Sequence, residues 1–412
     1  MQYEMIDTST YHFLFFGLTS FDSLPQRDQA LATECARMGH HVDFIEIPPS
    51  TAGKTHAFLQ RMFSPLSRET GFTRDPDQPR LHVHTPPTLP TGFRSSLAPA
   101  LDRSIFQQWF RRRFSGMDFS QSIALIMLPL WWNNLIDRTL LNPRLLVYDV
   151  CDALEVQGRT DRALRRLRRY EAQLAAEADL VTFSAHEEGS SIRRRFPETR
   201  TLLLPNAVSA EFVKQCGRAT STVPLVQFEH HSGSNGDEPS RRPVIGYVGA
   251  TCGKWFDSEL LFESINRFPE YDFAVVGPVT SDFAARCESY PNVMLHGFVP
   301  HRQLPALLRS FDAAVIPFLS NAISDVVNPL KLYEYAAAGL PIIATGVTEL
   351  MHYSDIVTLA DTREGFFAGI RHAVEQTDEK RRVRLRAFAR QNTWDRRVRR
   401  LLDTITEHVA AA

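Results

Sequence analysis

The sequence predicts two parallel α/β domains of similar size, and three observations carry that expectation. Short apolar runs, several ending in glycine, alternate with amphipathic helical segments. The alternation breaks between residues 209 and 242 and then restarts. At 412 residues the chain is also too long for one ordinary core, taking roughly 150 residues per domain.

In the first half, residues 11–17 (Tyr-His-Phe-Leu-Phe-Phe-Gly) form an apolar strand, followed by a polar loop over 18–25 and a helix over 27–38. Gly39 closes that helix, where glycine turns left-handed at no side-chain cost. Residues 42–47 make the next strand, stopped by Pro48-Pro49, and complete a βαβ unit. The Pro-, Thr- and His-rich stretch 50–92 has little period and reads mostly as loop. A helix over 101–114, strands over 122–128 and 145–149, a long basic helix over 160–178 and short strands over 180–184 and 201–204 follow.

Residues 209–242 include His230-His231-Ser232-Gly233-Ser234-Asn235-Gly236-Asp237 and Pro239, a linker composition. Beyond it come strand 244–249, helix 258–267, strand 272–276 capped by Gly277-Pro278, strand 293–297, helix 303–310, strand 313–317, a loop-to-helix segment 329–339 and strand 342–345. The expected organisation is an N-terminal Rossmann-like domain over 1–208, a linker over 209–242, a C-terminal Rossmann-like domain over 243–385 and a closing helical segment over 386–412. Ligands of such sheets lie beyond the carboxyl ends of the strands, so a two-domain version invites one into a central cleft.

Composition narrows the class. Hydrophobic residues at 43% and charged residues at 23% match an ordinary soluble chain and exclude a disordered or coiled-coil protein. Basic and acidic residues nearly cancel, 46 against 47, so there is no positive excess of the kind nucleic acid demands. The five cysteines are scattered without a C-x-x-C pair, which disfavours a disulfide framework or a zinc site and fits a reducing compartment. The polar start Met1-Gln2-Tyr3-Glu4 does not look like a secretory signal, and the apolar stretch 123–132 is about half of what a membrane helix needs. The expectation is a cytoplasmic protein, with room for peripheral contact at the inner face of a membrane. Only five lysines stand against 41 arginines, so a lysine inside a motif is informative.

The most informative segment runs from Asn328 through Pro329, Leu330, Lys331 and Glu334 to Gly339-Leu340-Pro341. Pro329 falls where a first helical turn begins, Gly339 ends the helix and Pro341 prevents its resumption. Free N–H groups near 328–331 together with the helix dipole make an anion site, and Lys331 adds a mobile positive charge. Glu334, one turn deeper, suits sugar hydroxyls. From the residues alone a second reading stands beside this one: a well-capped helix with an exposed Lys–Glu pair at i, i+3.

The segment resembles the donor-binding motif of GT-B glycosyltransferases, in particular the retaining family 4 (group 1) bacterial enzymes and their branch for surface polysaccharides such as teichuronic acid. Residues 245–250 with Trp255-Phe256-Asp257 resemble the first strand and loop of that family's donor domain. Residues 295–299 resemble its base-binding loop, and Leu204-Pro205-Asn206-Ala207-Val208 resembles its hinge, with Ala207 in place of glycine. Residues 392–397 are similar to the closing helix that crosses back to the first domain.

The resemblance implies Lys331 on a diphosphate, Glu334 on ribose hydroxyls, and the backbone of Asn328, Pro329 and Leu330 on the phosphates or donor hexose. It further implies Gly249 and the loop through Lys254 to Asp257 approaching the diphosphate, and Gly297, Phe298 and Val299 holding the base. A second glutamate that the family commonly has eight positions before the first is here Val326, with Asp325 beside it.

In the first domain, Asp152 is the candidate for an acidic group facing donor sugar and acceptor, with Asp149 second; an N-cap role for Asp152 is the competing reading. Gly17 and its loop through Asp22 and Arg27 are candidates for acceptor or phosphate contact. Trp131-Trp132 after Pro129 reads as core, with stacking on a sugar or lipid as the alternative. Arginine runs at 111–113 and 165–169 read as solvated helix faces or, for a lipid-linked acceptor, as a surface for anionic lipid.

The expected activity is transfer of a hexose from a nucleotide-diphosphate sugar, most commonly uridine-linked in the family, to a saccharide or lipid-linked saccharide. No cofactor and no metal is expected, since no paired-aspartate motif stands out; retention of configuration is what the resemblance implies. The alternatives are a catalytically silent nucleotide-sugar-binding protein of the same fold and a nucleotide-sugar epimerase. A nicotinamide dehydrogenase is disfavoured because no G-x-G-x-x-G opens a helix after a strand.

Overall fold

The computed structural model describes residues 10–21, 26–48, 72–74, 79–87, 89, 99–151, 154, 160–218, 241–376 and 378–411. The chain divides into two compact units, Met1–Leu204 and Pro205–Ala412.

The first unit runs β1 (His12–Phe16), α1 (Arg27–Arg37), β2 (His41–Ile45), β3 (Phe72–Arg74), β4 (Leu81–His84), α2 (Pro99–Arg113), β5 (Ser122–Ile126), β6 (Leu145–Val150), α3 (Asp161–Glu177), β7 (Leu180–Phe183), α4 (His186–Arg195) and β8 (Thr201–Leu203). The strands form one sheet in the order β3-β4-β2-β1-β5-β6-β7-β8, parallel throughout except where β3 meets β4. Both β5 and β6 are buried along their whole length, as apolar central strands with covered faces should be. Trp131 and Trp132 are fully buried in this core, as expected.

Strands β3 and β4 fall inside the stretch that sequence pattern assigns mostly to loop. The reason is visible at Leu81-His82-Val83-His84, whose histidines disguise a largely buried strand. Asp43 on β2 receives the Nε2–H of His84 and of His12, each at 2.6 Å, while Arg113 donates to the other ring nitrogen of His84 at 3.0 Å. A carboxylate satisfied by two imidazoles lets polar residues occupy a sheet interior.

The second unit starts earlier than the expected linker. Residues 210–216 form α5 (Ala210–Cys216), N-capped by Ser209, with Phe212 and Cys216 buried in the second core. Residues 219–240 lie outside the described residues. Then come β9 (Val244–Val248), α6 (Ser258–Arg267), β10 (Asp272–Val276), α7 (Ser281–Cys287), β11 (Val293–Gly297), α8 (Leu304–Leu308), β12 (Ala313–Ile316), α9 (Leu330–Ala338), β13 (Ile342–Thr345), α10 (Thr348–Met351), β14 (Val357–Ala360), α11 (Arg363–Glu375), α12 (Glu379–Gln391) and α13 (Trp394–Ala411). The closing helix is fastened within this unit: Val208 pairs with Thr393, and the Arg397 guanidinium donates to the Pro205 carbonyl at 2.9 Å.

The second sheet is parallel throughout, in the order β11-β10-β9-β12-β13-β14. Chain order thus reverses between β9 and β12, and ligands of open α/β sheets bind at such a reversal. The pairing of β9 with β12 stops at Ala314↔Gly246, so the two strands part toward their carboxyl ends. Beyond that point the Val248 N–H donates instead to the Tyr335 hydroxyl of α9, at 2.7 Å.

Three neighbouring strands end in glycines of positive φ: Gly249 (149°), Gly277 (130°) and Gly297 (62°). Gly249 N–H donates to Val276 and Gly277 N–H donates to Gly297, at 2.8 and 2.7 Å. A side chain on Gly277 would bring its Cβ to 2.5 Å from the Gly249 carbonyl oxygen. We therefore expect Gly277→Ala to lower the stability of the second unit by about 1–3 kcal/mol, measured by denaturant unfolding; an unchanged midpoint would refute this close stacking.

Candidate functional site

Where β9 and β12 part, the start of α9 arrives. Pro329 is its N-cap with extended backbone, and no side chain caps the first turn, so the leading amides keep the anion affinity of an uncapped helix start. Lys331 stands in this first turn. Its ammonium donates to the Tyr247 hydroxyl at 3.3 Å and lies 4.5 Å from the Tyr247 ring centre and 5.2 Å from that of Phe318. Aromatic faces hold a cation without neutralising it.

No described carboxylate forms a salt bridge with Lys331. Burial pulls its pKa down to about 8, against a smaller upward pull from Glu334. Gly249 is the residue this lysine requires: a Cβ there would sit 2.8 Å from the ammonium nitrogen and 3.1 Å from the Tyr247 hydroxyl.

Glu334 lies one turn on and is largely buried. Its Oε1 accepts from His301 Nε2 at 2.8 Å, and its second oxygen makes no hydrogen bond to a described residue. Burial alone would lower the His301 pKa, but the hydrogen bond and charge of Glu334 outweigh it and hold it above the ordinary histidine value.

The Asn328 side chain works inward. Its carbonyl oxygen accepts from the Asn206 amide (3.0 Å) and the Tyr333 hydroxyl (2.9 Å). Its NH₂ donates to Glu349 and to the Tyr353 hydroxyl, both at 2.8 Å. Every polar position of the side chain is filled, and the Asn328 carbonyl accepts from Asn206 Nδ2 at 2.6 Å, so Asn328 sets the path of the chain into α9.

The other candidates of this unit separate into two groups. Gly297 ends β11, Phe298 beyond it is 61% exposed, and Val299 packs partly into the core; these three form a presented loop. Lys254 is exposed, and only its carbonyl is engaged, by Asn321. Asp257 is engaged within the unit. Its carboxylate caps α6 through the Leu260 amide at 2.8 Å and faces Arg363, which commits it to holding the helix. Asp325, the possible stand-in for a glutamate at 326, is similarly engaged, accepting from the amide and hydroxyl of Thr348 at 3.0 and 2.9 Å.

In the first unit, Arg27 and Asp149 face each other. They form a buried two-point ion pair, Nε to Oδ2 at 2.7 Å and Nη2 to Oδ1 at 2.8 Å, with Thr182 donating to the same carboxylate. Arg27 is 3% exposed and Asp149 not at all, so the pair braces α1 against β6 and offers little to a ligand. Gly17 is explained by contact: a Cβ there would lie 2.5 Å from the Phe44 ring, and its carbonyl accepts from Trp131 Nε1 at 2.9 Å. Asp22 and Asp152 lie outside the described residues.

Sequence reasoning missed Tyr247, Gly277 and His301. A hydroxyl inside the apolar run 244–249 was the one local signal for Tyr247. His301 has none, because it meets Glu334 only through the fold.

Residues 254–403 match a protein family described as glycosyl transferase-like. The sucrose-phosphate synthase of Thermosynechococcus elongatus superimposes with a TM-score of 0.66 at 14% identity, covering 98% of this chain and 100% of that one. The chain has the GT-B glycosyltransferase fold. The same GT-B arrangement is found in Anabaena Alr3699/HepE in complex with UDP, with a TM-score of 0.60 at 12% identity over 97% of this chain and 100% of that one. In sequence, 107 residues are 27% identical to Bacillus subtilis (strain 168) TuaH, a protein named as a teichuronic acid biosynthesis glycosyltransferase. That match spans 25% of this chain and 27% of TuaH. Among the described residues no helix is long and apolar enough to cross a membrane.

Two measurements check this geometry. Lys331 is charged below about pH 8 and loses its proton above, so pyrophosphate affinity should fall as pH rises from 7 to 9.5, by up to about tenfold per unit. A flat calorimetric profile would exclude Lys331 from the anion site. Arg27→Ala strands a buried Asp149 and should destabilise the first unit by about 3–5 kcal/mol in denaturant unfolding; near-native stability would show that Thr182 alone satisfies the carboxylate.

Proposed function

We propose that this chain transfers a hexose from a nucleotide-diphosphate sugar, uridine-linked, to a saccharide or lipid-linked saccharide in surface polysaccharide synthesis. One observation carries the reading: an unneutralised ammonium, Lys331, held at an uncapped helix start beside Gly249, which ends β9 at the β9/β12 reversal. The UDP complex of HepE and the naming of TuaH agree with it.

The chemical difficulty is the leaving diphosphate, whose negative charge grows as the glycosidic bond breaks. Lys331 and the first amides of α9 stabilise that charge in place, preorganised rather than recruited from water. No metal takes part in this reading. Gly249 lets the phosphates approach the backbone, Glu334 accepts hydrogen bonds from the ribose hydroxyls, and Phe298 and Val299 hold the base. From the first unit this reading takes Asp152, outside the described residues, as its acidic group. The anomeric configuration is retained, as in the enzymes the motif resembles. A lipid-linked acceptor would place the protein at the cytoplasmic face of a membrane, where exposed Arg111, Arg112, Arg165, Arg168 and Arg169 meet anionic lipid.

A silent nucleotide-sugar-binding protein is the second reading, favoured by Val326 and by the engagement of Asp325 with Thr348. A panel of nucleotide sugars separates the two. Saturable thermal stabilisation with slow release of nucleoside diphosphate in chelator-containing buffer supports transfer; binding without release, with or without acceptors, supports the silent protein. Lys331→Ala and Glu334→Gln should each weaken UDP binding about 10–100-fold, the range for one hydrogen bond to a charged group, with the melting temperature nearly unchanged. Unaltered affinity in both variants would remove this site assignment.

A further inference from the structure

Lys331 and Glu334 stand at i, i+3 on one helix, a spacing at which opposite charges ordinarily pair. Here they do not. The ammonium is drawn to the Tyr247 ring and hydroxyl, and the carboxylate to His301. We propose that His301 and Tyr247 are positioning residues that hold Lys331 and Glu334 apart, so that one keeps its charge for a phosphate and the other keeps an oxygen for the ribose diol. This deepens the nucleotide-sugar reading and rests on it.

The geometry supports each half. A carboxylate only accepts, so His301 Nε2 must carry the hydrogen in the 2.8 Å bond, which fixes the ring orientation. That bond occupies Oε1 and leaves Oε2 unengaged by any described residue. His301 is itself held: its ring lies 5.0 Å from that of Phe212 on α5, and Pro300 and the buried helix α8 flank its short 3₁₀ turn. On the other side Tyr247 is anchored through its hydroxyl, which donates to the Ala250 carbonyl at 2.8 Å while accepting from Lys331. Two rigid partners on two separate elements therefore counteract a pairing that the helix alone favours.

The prediction concerns a ligand with no ribose. Removing His301 frees Glu334 to swing onto Lys331 and neutralise it, which should weaken inorganic pyrophosphate binding even though His301 touches no phosphate. We expect His301→Ala to lower pyrophosphate affinity about tenfold by titration calorimetry, the scale of losing one charge-assisted hydrogen bond. Adding Glu334→Gln to His301→Ala should restore it, and His301→Gln, which keeps a donor at the same reach, should stay near wild type. A parallel comparison of UDP with 2′,3′-dideoxy-UDP should show discrimination in the wild type and in His301→Gln, and its loss in His301→Ala.

A merely structural histidine gives a different pattern: His301→Ala would lower the melting temperature while pyrophosphate affinity stayed put, or would lose affinity that Glu334→Gln failed to restore. Either outcome overturns the proposal. So does a wild type that binds UDP without discriminating against the dideoxy form. A wild type that binds neither UDP nor pyrophosphate overturns the nucleotide-sugar reading as well. Should His301→Ala fail to fold, His301→Leu, which fills the space against Phe212 without a donor, carries the same expectations.

Discussion

The second unit is organised around keeping one ammonium group charged and unpaired. A lysine in apolar surroundings ordinarily finds a carboxylate or gives up its proton, because desolvation penalises the charged form. Lys331 does neither fully: two aromatic faces and one hydroxyl hold it, and its pKa falls only to about 8. That compromise requires the backbone beside it to have no side chain, which is the role of Gly249, and requires α9 to enter at the point where β9 and β12 part. Tyr335, bonding the Val248 amide from the same helix, fastens that entry.

Much of the surrounding polarity serves this placement. Asn328 is the hub, tying Asn206 at the start of the second unit to Tyr333, Tyr353 and Glu349, so that the peptide entering α9 has a single path. Arg397 closes the same region by donating to the carbonyls of Pro205 and Asn206. Fully satisfied buried networks of this kind rigidify a backbone, whereas a half-satisfied one would cost more than an apolar core. Gly277 extends the principle by letting its strand end approach the Gly249 backbone, which a Cβ at 277 would meet at 2.5 Å.

Several charged residues that look functional in sequence have partners within the chain. Arg27 and Asp149 neutralise each other in the first core, and Asp257 and Asp325 cap or brace helices. Residue type announces chemical capacity, but whether that capacity is spent inside the protein depends on partners 122 positions away for Arg27–Asp149 or 23 for Asp325–Thr348.

By itself the sequence determined the two α/β units, the helix 330–338 with its proline start and glycine end, and the presence in it of a lysine and a glutamate one turn apart. These are short-range matters, governed by hydrophobic period, backbone stereochemistry and helix-end electrostatics, all legible in a window of a dozen residues. The strand β4 escaped because histidine carries no fixed polarity until a partner such as Asp43 is known. Tertiary structure alone decided that Lys331 would meet Tyr247, 84 residues earlier, and Glu334 would meet His301, 33 residues earlier. Strand order and helix packing brought those groups together, and no local rule encodes the distance between side chains that only a folded sheet makes neighbours.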